Sequence, residues 1–144
     1  MPATIRRVEY FYSLVRDRPG EAHRLLSELA SGGVKLLAFN AIPMGLETTQ
    51  LVIYPEDTQR LVEAAEVKGL VLTGPHRAFL IQGDDRLGEL AEIHLGLFEA
   101  GINVYASSGV TDGRGSYGYV VHVRNEDYDS AARVLSLGAE GASG

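Results

Sequence analysis

The chain has 144 residues, the length of one ordinary domain or two very small ones. A composition that is 45% hydrophobic and 22% charged can bury a core, which excludes a disordered tail. Thirteen Lys+Arg against 19 Asp+Glu leave a formal charge of −6, which argues against nucleic acid as a partner, because phosphate contacts need clustered positive charge.

Val8–Val15 is rich in aromatic and β-branched residues and reads as a strand. Asp17-Arg18-Pro19-Gly20 punctuates it, with Asp17 as the expected helix cap and Pro19 where a helix begins. Ala22, Leu25, Leu26 and Leu29 then recur at helical spacing, and Gly32-Gly33 ends the helix. Val34–Ile42 is a strand, Pro43-Met44-Gly45 a turn, and Thr48–Tyr54 the returning strand. Pro55-Glu56-Asp57 opens a second helix carrying Leu61, Val62 and Ala65. Leu70–Thr73 is a short last strand, and Gly74-Pro75-His76-Arg77 is expected to turn the chain. A second series follows. Ala78–Gln82 is a strand, and Leu87, Leu90, Ile93 and Leu97 mark a helix. Asn103–Val110 and Tyr117–Val123 form a strand pair, and Asn125-Glu126-Asp127 opens a last helix with Ala131, Ala132 and Leu135.

The two series are copies. Asp17-Arg18-Pro19-Gly20-Glu21 returns 68 positions later as Asp85-Arg86-Leu87-Gly88-Glu89. In the same register Leu25 falls on Ile93, Leu29 on Leu97, Gly33 on Gly101 and Leu36 on Val104. The expected fold is α+β: two ferredoxin-like βαββαβ repeats, over 5–74 and 75–138, with antiparallel strands and helices on one sheet face. The second copy lacks an apolar fourth strand, so Leu70–Thr73 is expected to serve both copies. Residues 139–144 are expected to form a flexible tail.

Asp-Arg-Pro-Gly after a strand, then a helix and Gly-Gly-Val, with Gly101-Ile102-Asn103-Val104 in the second copy, resembles the ACT domain. The resemblance covers both copies. Leu87 stands where proline is usual, and Lys35 where the asparagine of the first copy would align. The resemblance implies a non-catalytic regulatory protein that binds amino acids or similar small effectors between paired domains. Carried over by position, the ligand-binding residues are Asp17, Arg18, Pro19 and Gly20, with Asp85, Gly88, Ile102 and Asn103. It also implies a free-standing sensor or regulatory subunit, read by a partner enzyme or transporter. Physics agrees with this placement, since glycine at a helix start leaves backbone N–H groups open to a carboxylate. Asp17 and Asp85 also fit as plain helix caps.

The other candidates are weaker. Gly113–Gly118 matches G-x-G-x-x-G but falls between two strands, where a hairpin is expected rather than a dinucleotide site. His23, His76, His94 and His122 have no metal-ligand spacing, so no metal and no cofactor are expected. Ser107-Ser108-Gly109 lacks a nucleophile elbow. Tyr10, Tyr12, Tyr117 and Tyr119 alternate along strands and read as core or interface residues. Asn40, before Ile42-Pro43, either shapes a ligand pocket or starts a hairpin. No cysteine is present, which removes disulfides, thiolate zinc sites and iron–sulfur clusters. No apolar run reaches the roughly 18 residues of a membrane helix, and Met1–Arg7 leads into no signal-peptide core. The expectation is a cytoplasmic homodimer without a membrane partner. Two rival readings are a small enzyme on this scaffold, using Asp17, Asp85 or a histidine, and a structural interaction module without a ligand.

Overall fold

The computed structural model describes residues 3–143, with side chains described through Leu135. In chain order the elements are β1 (Thr4–Arg16), α1 (Glu21–Ser31), β2 (Leu36–Pro43), β3 (Thr48–Pro55), α2 (Thr58–Lys68) and β4 (Thr73–Asp84). Then come α3 (Glu89–Glu99), β5 (Val104–Thr111), β6 (Ser116–Val123), a 3-10 turn over Asn125–Asp127, and α4 (Tyr128–Ser143). The fold is α+β, with six antiparallel strands in one sheet ordered β2-β3-β1-β4-β6-β5.

The repeat is kept to the residue. Glu21 and Glu89, Leu36 and Val104, and Thr48 and Ser116 open equivalent elements and are each 68 positions apart. Strand register repeats as well: Phe11 pairs with Ile53, and Phe79 with Val121. Even the irregularity between Leu36 and Ala38 recurs between Val104 and Ala106. No insertion or deletion separates the copies across these elements.

The chain divides into two compact units, Glu9–His76 and Met1–Val8 with Arg77–Gly144. In the first, Phe11, Leu51 and Ile53 point to one sheet face and pack with Leu25 and Leu29 of α1 and Leu61 and Ala64 of α2. In the second, Phe79, Ile81, Tyr119, Val121 and Val123 do the same with Leu97 of α3 and Tyr128, Ala131 and Leu135 of α4. The alternation follows from the two-residue period of a strand. Within each unit both helices therefore lie on one face. Each fully buried aliphatic or aromatic side chain contributes about 1.5–3 kcal/mol. Tyr128 is the best-held of these: its ring stacks on Phe79 at 4.4 Å and its hydroxyl donates to the Ala78 carbonyl at 3.0 Å.

Three local expectations need correction. Leu70–Leu72 is not a strand, and Gly74–Arg77 is not a turn: Thr73–Asp84 is one continuous strand. Gly74 serves close approach rather than reversal, because a Cβ there would lie 2.9 Å from the Tyr10 carbonyl and 2.8 Å from the Phe11 ring. The expected shared strand is replaced by two long ones. β1 begins at Thr4 and puts residues through Val8 into the second unit, while the first residues of β4 fall in the first. Nor do Asp17 and Asp85 cap their helices; Gly20 and Gly88 stand at those positions without a side-chain cap. Asp57, by contrast, caps α2 as expected, accepting from the Arg60 N–H. Gly113–Gly118 lies in the β5–β6 hairpin, where the Asp112 carboxylate accepts from the N–H groups of Arg114 and Ser116. The tail expected over 139–144 lies beyond the last described side chain.

Candidate functional site

The site is built on the turn from β4 into α3. Gly88 takes φ +84° and ψ −2°, a left-handed conformation that glycine adopts without steric cost. Gly20 does the same in the first copy, at φ +92°. With no side chain over the helix start, the first turn of α3 keeps open donors. The Glu89 N–H donates to the Arg86 carbonyl, and Glu92 is the first to bond back to Gly88. Leu90 and Ala91 then carry the N–H groups that an α-helix leaves without an intrahelical acceptor. The helix dipole adds partial positive charge there.

Beside this turn lies an open cleft of about 270 Å³ within the second unit. Asp85, Arg86, Glu89 and Leu90 line it from the turn and α3, Gly109–Thr111 from β5, and Tyr117–Tyr119 from β6. Asp85 is held in place by its own N–H, which donates to the Gly115 carbonyl at 2.8 Å. Arg86 and Glu89 form an ion pair. The His94 Nε2 and Tyr119 hydroxyl are 2.6 Å apart, which fixes the Tyr119 ring along the cleft wall. Tyr117 is 8% exposed, and its hydroxyl is buried without a hydrogen-bond partner. Burial pushes its pKa above the usual phenol value, and the nearby Glu89 carboxylate adds to the rise. A buried hydroxyl left unpaired costs about 1–3 kcal/mol, so this one is poised to take an acceptor.

The first copy is furnished differently at the same positions. Thr49 stands for Tyr117, Leu51 for Tyr119, Ala41 for Gly109 and Ala22 for Leu90. Its helix start keeps the equivalent Arg–Glu pair and adds a second arginine. The Glu21 carboxylate, 9% exposed, accepts from Arg18 at 2.7 Å and from Arg24 at 2.6 Å. The hydrogen bond from Arg18 holds its pKa below the usual carboxylate value. The residue equivalent to Arg24 in the second copy is Glu92, which cannot form the same pair.

Asp17, Arg18, Pro19 and Gly20 are exposed in the β1–α1 turn, with Arg18 committed to Glu21. Asp85 lines the cleft and Gly88 starts the helix beside it. Ile102 is a core residue, 6% exposed and packed in the second unit's cluster, and its N–H closes the end of α3 on the Leu97 carbonyl. Exposed Asn103 precedes β5, at the opposite end of that strand from Gly109–Thr111. The strand is eight residues long, about 27 Å, so Asn103 does not reach the cleft. Asn40 pairs with Val52 on β3. That places it on the sheet face opposite Ile53 and α1.

Tyr117 and Tyr119 are the residues whose place in the cleft the sequence reading passed over. Comparing the two copies position by position would have found them, since Thr49 and Leu51 become two tyrosines while Ala41 becomes glycine. Among the described residues no group of three or more His, Asp or Glu side chains is arranged to hold a metal ion. No helix among them is long and apolar enough to cross a membrane.

The fold matches solved structures over nearly its whole length. A protein from Bacteroides thetaiotaomicron superposes with a TM-score of 0.77 at 15% identity, covering 93% of this chain and 88% of its own. The regulatory subunit of aspartate kinase from Thermus thermophilus, in its ligand-free form, gives 0.66 at 14% identity, covering 96% and 97%. A structure of aspartokinase α and β subunits gives 0.63 at 16%, covering 97% and 98%. This is the fold of paired ACT domains. The tandem ACT fold is thus reached without close sequence likeness: no family model matches the chain, and no curated protein matches its sequence.

Proposed function

We propose that the chain is a non-catalytic regulatory protein that binds a small effector, an amino acid, in the cleft between α3 and strands β5 and β6. It works in the cytoplasm as a homodimer, and a partner enzyme or transporter reads its bound state. The unpartnered Tyr117 hydroxyl, buried beside the open start of α3, carries this reading. A ligand carboxylate suits the helix start, where N–H groups and the dipole favour negative charge. In this reading the Tyr117 hydroxyl donates to a second acceptor atom, and the carboxylate of Asp85, which lines the cleft, accepts from an ammonium group. An amino acid carries both charges on one small body. The matched regulatory subunit of aspartate kinase supports a regulatory rather than a catalytic role. Binding would act by differential affinity for two arrangements of the protein.

Thermal unfolding against the twenty amino acids tests this. A ligand at 100 times its dissociation constant adds about 2.7 kcal/mol to stability, so one amino acid is expected to raise the midpoint clearly. Gly88→Ala and Tyr117→Phe are expected to shrink that rise. No shift from any amino acid at millimolar concentration would remove the reading.

A further inference from the structure

We propose that Arg7 of β1 and Arg77 of β4 form a site for a small phosphate dianion, free or carried on a monoester, built on the ring of Tyr128 at the start of α4. All three residues belong to the second unit. The site is separate from the effector cleft. Asp85 lies just past the other end of β4, about 27 Å along the strand from Arg77.

The Tyr128 ring is a fixed platform. It is buried, Phe79 stacks on it at 4.4 Å and 10°, and its hydroxyl donates to the Ala78 carbonyl. With Phe79 on one face, the Arg77 guanidinium carbon, 4.0 Å from the ring centre, lies over the other. The Arg7 guanidinium carbon is 5.8 Å from the same centre. A ring holds a guanidinium through its charge and its flat face. The five N–H donors lie in the plane of the group and stay open to a second partner. Both arginines are exposed, so an anion reaches them from solvent and the organic part of an ester has room.

Two like charges gathered on one ring repel each other unless an anion joins them. The chain has 19 Asp+Glu against 13 Lys+Arg, yet among the described residues neither guanidinium is paired with a carboxylate. The fold does not require this arrangement. At the positions 68 residues earlier the first copy has Glu9 for Arg77 and Arg60 for Tyr128. A phosphate brings up to two charges and at least three acceptor oxygens, enough to take hydrogen bonds from both forks at once. A carboxylate brings one charge and two oxygens. The formal charge of −6 repels an extended polyanion, so the pair suits a small phosphate and not a nucleic acid.

An NMR titration of the full chain at fixed ionic strength, read at the arginine side-chain Nε–H groups, tests the proposal. Inorganic phosphate and glycerol phosphate are the probes, and the tighter of the two identifies the source. Either is expected to shift Arg7 and Arg77 saturably, while chloride does not and acetate binds roughly tenfold more weakly or worse. Arg7→Gln and Arg77→Gln are each expected to weaken phosphate binding by about tenfold or more. Arg77→Lys keeps the charge without the fork and is expected to fall between wild type and Arg77→Gln. Arg60→Gln in the first unit is expected to change nothing. Both arginines are exposed, so the thermal midpoints without phosphate are expected to hold, and the wild-type titration stands without any variant. Shifts no different from those with chloride, acetate binding as tight as phosphate, or phosphate binding unchanged in both glutamine variants overturns the proposal. None of these results touches the amino-acid reading, whose amides are those of Asp85–Leu90.

Discussion

Gly109 pairs with Tyr119 across β5 and β6, and a Cβ added there would lie 2.8 Å from Cδ1 of the ring. The only ways to relieve that contact are to move the ring or to move the strand. Gly109→Ala is therefore expected to displace Tyr119 from His94 and to cost about 1–3 kcal/mol in chemical denaturation. Gly118, its neighbour on β6, has nothing within 4 Å of an added Cβ. Gly118→Ala is expected to be neutral or to stabilise by about 0.5–1 kcal/mol, because it lowers the entropy lost on folding. Tyr117 makes the sharper case. If its hydroxyl waits for a ligand, Tyr117→Phe removes a buried unpaired group, and the free protein should gain about 1 kcal/mol in stability while losing affinity. Denaturation of the free protein and titration with effector separate the two effects. A variant that loses stability without any ligand present would show that the hydroxyl already has a structural role.

At the scale of elements, the sequence carried most of the helices and the strand pairs, because apolar spacing and glycine punctuation are local signals. The 68-residue offset was visible from the Asp-Arg-x-Gly-Glu turns alone and holds for the starts of α1 and α3, β2 and β5, and β3 and β6. Two things were not local. Gly74-Pro75 reads as a turn because those residues usually make one, yet here glycine permits a close approach to the Tyr10 backbone inside β4. The capping role went to Gly20 and Gly88 rather than to the aspartates, because the turn takes a left-handed residue directly before each helix. The cleft was hidden for a similar reason: it depends on Tyr117 and Tyr119 meeting Asp85 and Glu89 from a distant stretch of chain. β6 also carries a pH-dependent element. Burial pushes the His122 imidazole below its ordinary pKa of 6.5, and the Tyr105 ring stands edge-on to it at 6.1 Å. The unfolded chain binds a proton there before the folded one does. This contribution is fully present above pH 6.5, falls as pH drops towards the folded pKa, and then levels off. His122→Gln is expected to flatten that part of the stability–pH curve relative to wild type in parallel urea titrations.

Across the whole molecule, duplication produced two units with one backbone plan and different surfaces. The first unit ties its helix start with Glu21 between Arg18 and Arg24. The second keeps the equivalent Arg86–Glu89 pair but carries Glu92 where Arg24 stands, and beside it lie a cleft, a buried hydroxyl and an apolar helix face. The two copies thus share one architecture and differ in what lies beside the helix start. The resemblance in the turn motifs and the structural match point to the same tandem ACT fold, although fold alone names no effector. The most direct measurement is an amide-resolved NMR titration of the full chain with each of the twenty amino acids. At least one is expected to shift, saturably, the amides of Asp85–Leu90 and Gly109–Tyr119, with Asp17–Glu21 unmoved. Saturable shifts confined to Asp17–Glu21, or none at millimolar ligand, would contradict it.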